Sequence, residues 1–130
     1  MSKWPKEQIP PSDWLYKRVP KAHYSDDVLN SAATFRNTPT KQDGMSVDWS
    51  RHSTPEQTLR RAVQKPVATY GVIKLQVAKV AKIPGQRIEH TPRDDNQSHA
   101  DVFGDKDDPE VKLKFLRCSE WCIRIGEVAQ

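Results

Sequence analysis

The sequence predicts an α+β domain, a mixed or antiparallel sheet covered by two or three helices. Three observations carry this. Short β-favouring runs recur between turn residues, helix-start chemistry stands at Ser53 and Asp108, and a sustained helical period follows Asp108.

Taken in order, Met1 to Asp13 sets Trp4, Pro5, Pro10 and Pro11 among charges with neither strand nor helix period, so residues 1–13 read as an extended arm and 14–130 as the domain. Leu15 to Val19 is a short strand ended by Pro20. Ala32 to Phe35 reads as extended, and Met45, Val47 and Trp49 alternate onto one strand face, which turns Asp48 to the other. Ser53-Thr54-Pro55-Glu56 has the form of a capping box, predicting a helix from Pro55 to about Gln64 that must stop before Pro66. Tyr70 to Leu75 reads as a buried strand, and Val77 to Lys82 as a helical turn halted by Pro84-Gly85. Arg87 to His90 and His99 to Phe103 are further strands. Asp108 then caps a helix predicted to run to about Ile123, with Val111, Phe115, Cys118 and Cys122 on one face.

At 130 residues the chain can bury one modest core, although an apolar fraction of 35% and ten prolines point to irregular stretches. No window reaches the roughly 18 apolar residues of a membrane span, and no secretory apolar segment stands at the N-terminus. The expectation is a cytoplasmic protein with no membrane partner. Cys118 and Cys122, four apart on a predicted helix, suit a reducing compartment better than a disulfide. The net charge of +4 is unevenly spread, with bases crowding the first 21 residues and six aspartates lying between 94 and 108.

The groups able to do chemistry concentrate between His90 and Gly104. On a strand His99 and Asp101 share a face, so they and His90 and Asn96 are the candidate catalytic residues of a small transferase or phosphoesterase. The spacing of His90 and His99 fits no zinc pattern. Accordingly, no metal and no cofactor is assigned. The alternative is a solvated acidic loop with a turn at Asn96. Lys17, Arg18, Lys21, Arg36, Arg60 and Arg61 are candidate phosphate contacts for nucleic acid, with Trp4, Trp14, Tyr16 or Tyr24 for stacking. Trp4 and Trp14 equally suit anchors to a protein partner.

Four blocks, Leu15-Tyr16-Lys17-Arg18-Val19, Ser31-Ala32-Ala33-Thr34-Phe35, Met45-Ser46-Val47-Asp48 and His90-x-Pro92-x3-Asn96-x2-His99-Ala100-Asp101-Val102-x-Gly104, resemble a family of small uncharacterised bacterial proteins. The resemblance implies a bacterial cytosolic protein from a mobile-element or antiviral defence neighbourhood and transfers no catalytic residue. Leu15 to Arg18 is also similar to the first strand of NAD-using ADP-ribosyltransferase-like domains. The chain departs from that pattern in lacking a downstream glycine-rich segment and an evident catalytic glutamate. The expected function is a binding or accessory subunit of a bacterial complex, with another protein subunit as first partner and nucleic acid as second. The alternative is a small enzyme of transferase or phosphoesterase type that uses His90, His99 and Asp101 as an acid-base or metal site.

Overall fold

In the computed structural model, which describes residues 3–25, 28–37, 44–61 and 70–124, the first β-favouring run forms β1 (Trp14–Pro20). A 3-10 turn (Lys21–His23) and a ribbon of β2 (Tyr24–Ser25) with β3 (Val28–Leu29) lead to α1 (Ser31–Thr34). There follow β4 (Gly44–Trp49), α2 (Pro55–Arg60), β5 (Tyr70–Gln76) and α3 (Val77–Ala81). The last elements are β6 (Arg87–His90), β7 (His99–Phe103), α4 (Pro109–Cys118) and β8 (Ser119–Ile123). Six strands make one open sheet in the order β6-β7-β4-β1-β5-β8, all neighbours antiparallel, with four α-helices among the described residues. The fold is therefore α+β, as the sequence predicts.

Strand alternation divides the sheet into two unlike faces. The apolar face carries Leu15, Val19, Met45, Val47, Ile73, Leu75, Ala100 and Val102, covered by Val80 of α3, Phe115 of α4 and Phe35 just beyond α1. Phe35 and Phe115 stack with centroids 5.5 Å apart. Apart from Ala100, each such side chain contributes about 1.5–3 kcal/mol on burial, which makes this face the main source of stability. The opposite face is polar toward β4 and β7, where Ser46, Asp48, His99 and Asp101 project. Toward β5 and β8 it is apolar, with Leu59 of α2 packed against Val72 and Ile123.

Three expectations about elements change. Thr54, not Ser53, caps α2: its hydroxyl accepts from the Gln57 N–H while the Gln57 side chain accepts from the Thr54 N–H. Pro55, with its fixed φ and missing donor, takes the first helical position and so moves the cap one residue along. Helix α2 is assigned only to Arg60, and 62–64, the end of the predicted span, lie outside the described residues. Residues Ser31–Thr34 are helical rather than extended, because the Asn30 side chain caps them by accepting from the Ala33 N–H. The C-terminal helix ends at Cys118, and Ser119–Ile123 turns into β8 along β5. The helical spacing of Cys118 and Cys122 is real, but pairing with the otherwise unpaired edge of β5 outweighs it.

The arm packs along the sheet end. The Glu7 N–H donates to His90 Nδ1 at 2.9 Å, Lys6 pairs with Glu89 at 2.7 Å, and Ile9 packs on the core. Asp13 accepts from the indole N–H of Trp49 at 2.9 Å.

Candidate functional site

β1 and β4 are neighbours in the sheet, yet their ladder holds only two residue pairs, Leu15 with Trp49 and Tyr16 with Asp48. Beyond them β1 stays paired with β5 as far as Pro20, and β4 stays paired with β7 as far as Gly44. The sheet thus parts into two halves joined at this short ladder. A cleft of about 750 Å³ lies in the parting, bordered by Lys17, Arg18 and Pro20 on one side and Ser46, Val47 and Asp48 on the other. Its volume falls in the range of small-molecule sites.

The lining is strongly cationic. Lys17, Arg18, Arg36, Arg60, Arg61 and Arg93 face two acids, Asp48 and Asp95. His23, Tyr16 and Tyr70 complete this part of the wall. Arg61 spends its charge on Asp48 at 2.8 Å, and Arg18 donates to the Thr58 carbonyl at 2.9 Å. Among the described residues no acid pairs with Lys17. Burial first, and then the nearby Arg18 and Arg36, push its ammonium down to about 8. His23 is lowered by burial and by the same cations, Lys17 and Arg36.

Asp48 organises the floor. Its carboxylate, 6% exposed, accepts from the Thr58 hydroxyl at 2.8 Å, from Arg61, and from the Asn96 amide at 2.9 Å. Asn96 in turn accepts from the N–H and the hydroxyl of Ser98, which pins the loop between β6 and β7 to the cleft. Ser53, displaced from the cap, instead bonds Thr58 at 2.9 Å and accepts from Arg61 at 3.0 Å.

His99 lies beside this floor, its side chain 7% exposed. Nδ1 is 2.9 Å from the Thr91 carbonyl oxygen, which can only accept, so Nδ1 carries the proton. The Thr91 hydroxyl lies 3.0 Å from the same nitrogen and donates to Asp101 at 2.8 Å. Nε2 therefore has its lone pair free, 3.4 Å from the Ser46 hydroxyl. Burial lowers the His99 pKa, against an upward pull from Asp101, and Arg93 lowers it further.

The structure separates the predicted catalytic residues. Asn96 and His99 line the cleft, and Asp101 stands behind His99 through Thr91. His90 does not join them. It pairs in register with Ala100, not His99, so its ring projects from the apolar face. There its Nδ1 accepts from Glu7, its Nε2–H donates to the Gln97 carbonyl at 2.7 Å, and it lies 5.0 Å from Trp49 edge to face. Both nitrogens are occupied, and His90 is not among the residues lining the cleft.

Of the predicted phosphate contacts, Lys17, Arg18, Arg36, Arg60 and Arg61 line the cleft and Lys21 does not. Sequence reasoning missed Ser46, Asp48, His23, Tyr70 and Arg93. For Ser46 and Asp48 the signal was present, since alternation turns both away from the core on a strand otherwise apolar. Among the described residues no group of three or more His, Cys, Asp or Glu gathers as a metal site would require. No helix among them is long and apolar enough to cross a membrane.

No protein-family model matches the chain, and no curated protein or solved structure matches it either.

Proposed function

We propose that the protein binds a phosphate-bearing ligand of nucleotide size in the cleft between β1 and β4. The observation that carries this reading is the cluster of Lys17, Arg18 and Arg36, cations lining one partly desolvated notch beside the His23 ring, with no acid pairing Lys17 among the described residues. Like charges so placed repel one another, and a phosphate dianion would relieve that repulsion through charge-assisted hydrogen bonds. Tyr16 and Tyr70 offer ring surface for a base or sugar. A free nucleotide and the end of a single nucleic-acid strand present the same chemistry.

Calorimetric titration with ADP, adenosine and a 5′-phosphorylated oligothymidylate tests the reading. ADP should bind, and adenosine should bind at least about tenfold more weakly, because a charged hydrogen bond contributes about 1.5–3 kcal/mol. The double substitution Lys17→Met with Arg36→Gln should weaken ADP by a similar factor without lowering Tm. Equal affinity for ADP and adenosine, or no binding of any phosphorylated probe, would defeat it. The ratio of oligothymidylate to ADP affinity tells a nucleic-acid end from a free nucleotide. The further setting we infer, an accessory place in a bacterial complex beside another protein subunit and in a defence module, draws its support from the four sequence blocks rather than from the cleft.

A further inference from the structure

We propose that Ser46 and His99 form a nucleophile and base pair that hydrolyses a phosphate ester or pyrophosphate lodged in this cleft, an inference that rests on the cleft being an anion site. The two residues come from adjacent strands, β4 and β7, and both line the cleft. Their roles are set by hydrogen-bond direction rather than by proximity. The Thr91 carbonyl forces the proton onto Nδ1, so Nε2 can only accept, and the Ser46 hydroxyl lies 3.4 Å from it. That separation is long for a hydrogen bond and ordinary for a catalytic pair without substrate. Behind the ring, the Thr91 hydroxyl lies against Nδ1 and donates to Asp101, whose carboxylate is 3.9 Å from Nδ1. Thr91 and Asp101 are positioning residues. They hold the tautomer and stabilise the imidazolium that forms when Nε2 takes a proton, the logic of an oriented base in general.

The step balances without an outside oxidant or metal. Ser46 Oγ forms a bond to phosphorus as its proton passes to His99 Nε2, the bond from phosphorus to the leaving oxygen breaks, and the imidazolium returns the proton to that oxygen. Water, deprotonated by His99, then cleaves the phosphoserine and regenerates the hydroxyl. The arginines that share the cleft, Arg18 and Arg93 among them, supply positive charge for the phosphoryl oxygens.

The test uses the full chain and diisopropyl fluorophosphate, which phosphorylates a serine only when a base activates it and releases fluoride. Peptide mass mapping should find the adduct on Ser46. His99→Gln should slow labelling by at least about 100-fold, the usual contribution of a general base. The wild-type rate should rise with pH through the titration of His99 and level off by neutrality. Asp101 on β7, Asp48 on β4 and Arg93 in the loop are the charged groups acting on that titration. Asp101→Asn should shift the midpoint to lower pH, which a merely structural role for Asp101 would not do. An unlabelled Ser46 in the wild type, or a labelling rate unchanged in a folded His99→Gln, would overturn the proposal. Should that variant lose its near-UV circular dichroism, the wild-type pH profile decides: a rate flat from pH 4 to 8 overturns it equally. Calorimetric titration of the wild-type chain with ADP reads the anion site separately. Binding without labelling refutes the pair and leaves the cleft standing, whereas labelling without binding refutes the cleft.

Discussion

At the scale of single residues, the site depends on a few groups held away from their ordinary protonation behaviour. Lys17 titrates near 8, so its ammonium begins to lose charge within reach of physiological pH. A bound phosphate favours the charged form, and linkage then requires that binding raise this pKa and that affinity fall as pH climbs above 8. Folding shows the opposite slope. The unfolded lysine holds its proton to about 10.4, so between about 8 and that value the unfolded chain binds more protons, and Lys17 contributes stability that grows with pH. His99 behaves alike at lower pH. Its pKa is lowered by burial, so below the ordinary histidine range the fold resists a proton that the unfolded chain accepts, and stability declines as the solution is acidified. A histidine-resolved NMR titration should place the His99 midpoint below that of an unfolded histidine. A midpoint at or above it would remove the argument for a neutral base at pH 7.

Among the elements, α2 and the loop between β6 and β7 meet over Asp48, and the cleft floor keeps its form because both are pinned. The cap of α2 is one pin. Thr54→Ala should cost about 1 kcal/mol, visible as a lower Tm, while Ser53→Ala should act instead through Arg61 and Thr58, which it bonds. Reversed magnitudes, with Ser53→Ala behaving as loss of a cap, would contradict the assignment. The helix start near Pro55, the Asp108 cap and the strands from Tyr70, Arg87 and His99 were legible in the sequence, since each rests on chemistry within a few residues. The exit of α4 into β8 was not. Cys118 and Cys122 satisfy a helical period, and only the open edge of β5 makes a strand the better use of Ser119–Ile123.

For the whole molecule, the arm and the split sheet are the features that matter. Residues 3–13 join distant parts: the Glu7 carboxylate holds His52 at 2.7 Å and Arg51 at 3.3 Å while its N–H fills Nδ1 of His90. A chain beginning at Pro10 would leave that nitrogen unsatisfied and remove Ile9 from the core. Thermal unfolding should show a loss of about 1–3 kcal/mol from the unpaired nitrogen alone, and an unchanged Tm would mean that the arm is not integral. The parting of β1 from β4 sets the other large feature. It converts a continuous sheet into two halves with a cationic notch between them, bringing Arg18 within one cleft with Asn96 and His99.

The sequence by itself determined the α+β class, the alternation that places His99 and Asp101 on one face, and the identity of most cleft cations. Such properties follow from local period, capping and composition, which act over a few residues. Tertiary structure alone decided that His90 faces the opposite side from His99, that Asp48 gathers α2 and the loop at one carboxylate, and that Ser46 comes to His99. The first follows from the register of β6 on β7, and the others from the pairing of β4 with β7 and the docking of α2 and the loop on Asp48, relations between segments that the period within any one of them does not fix.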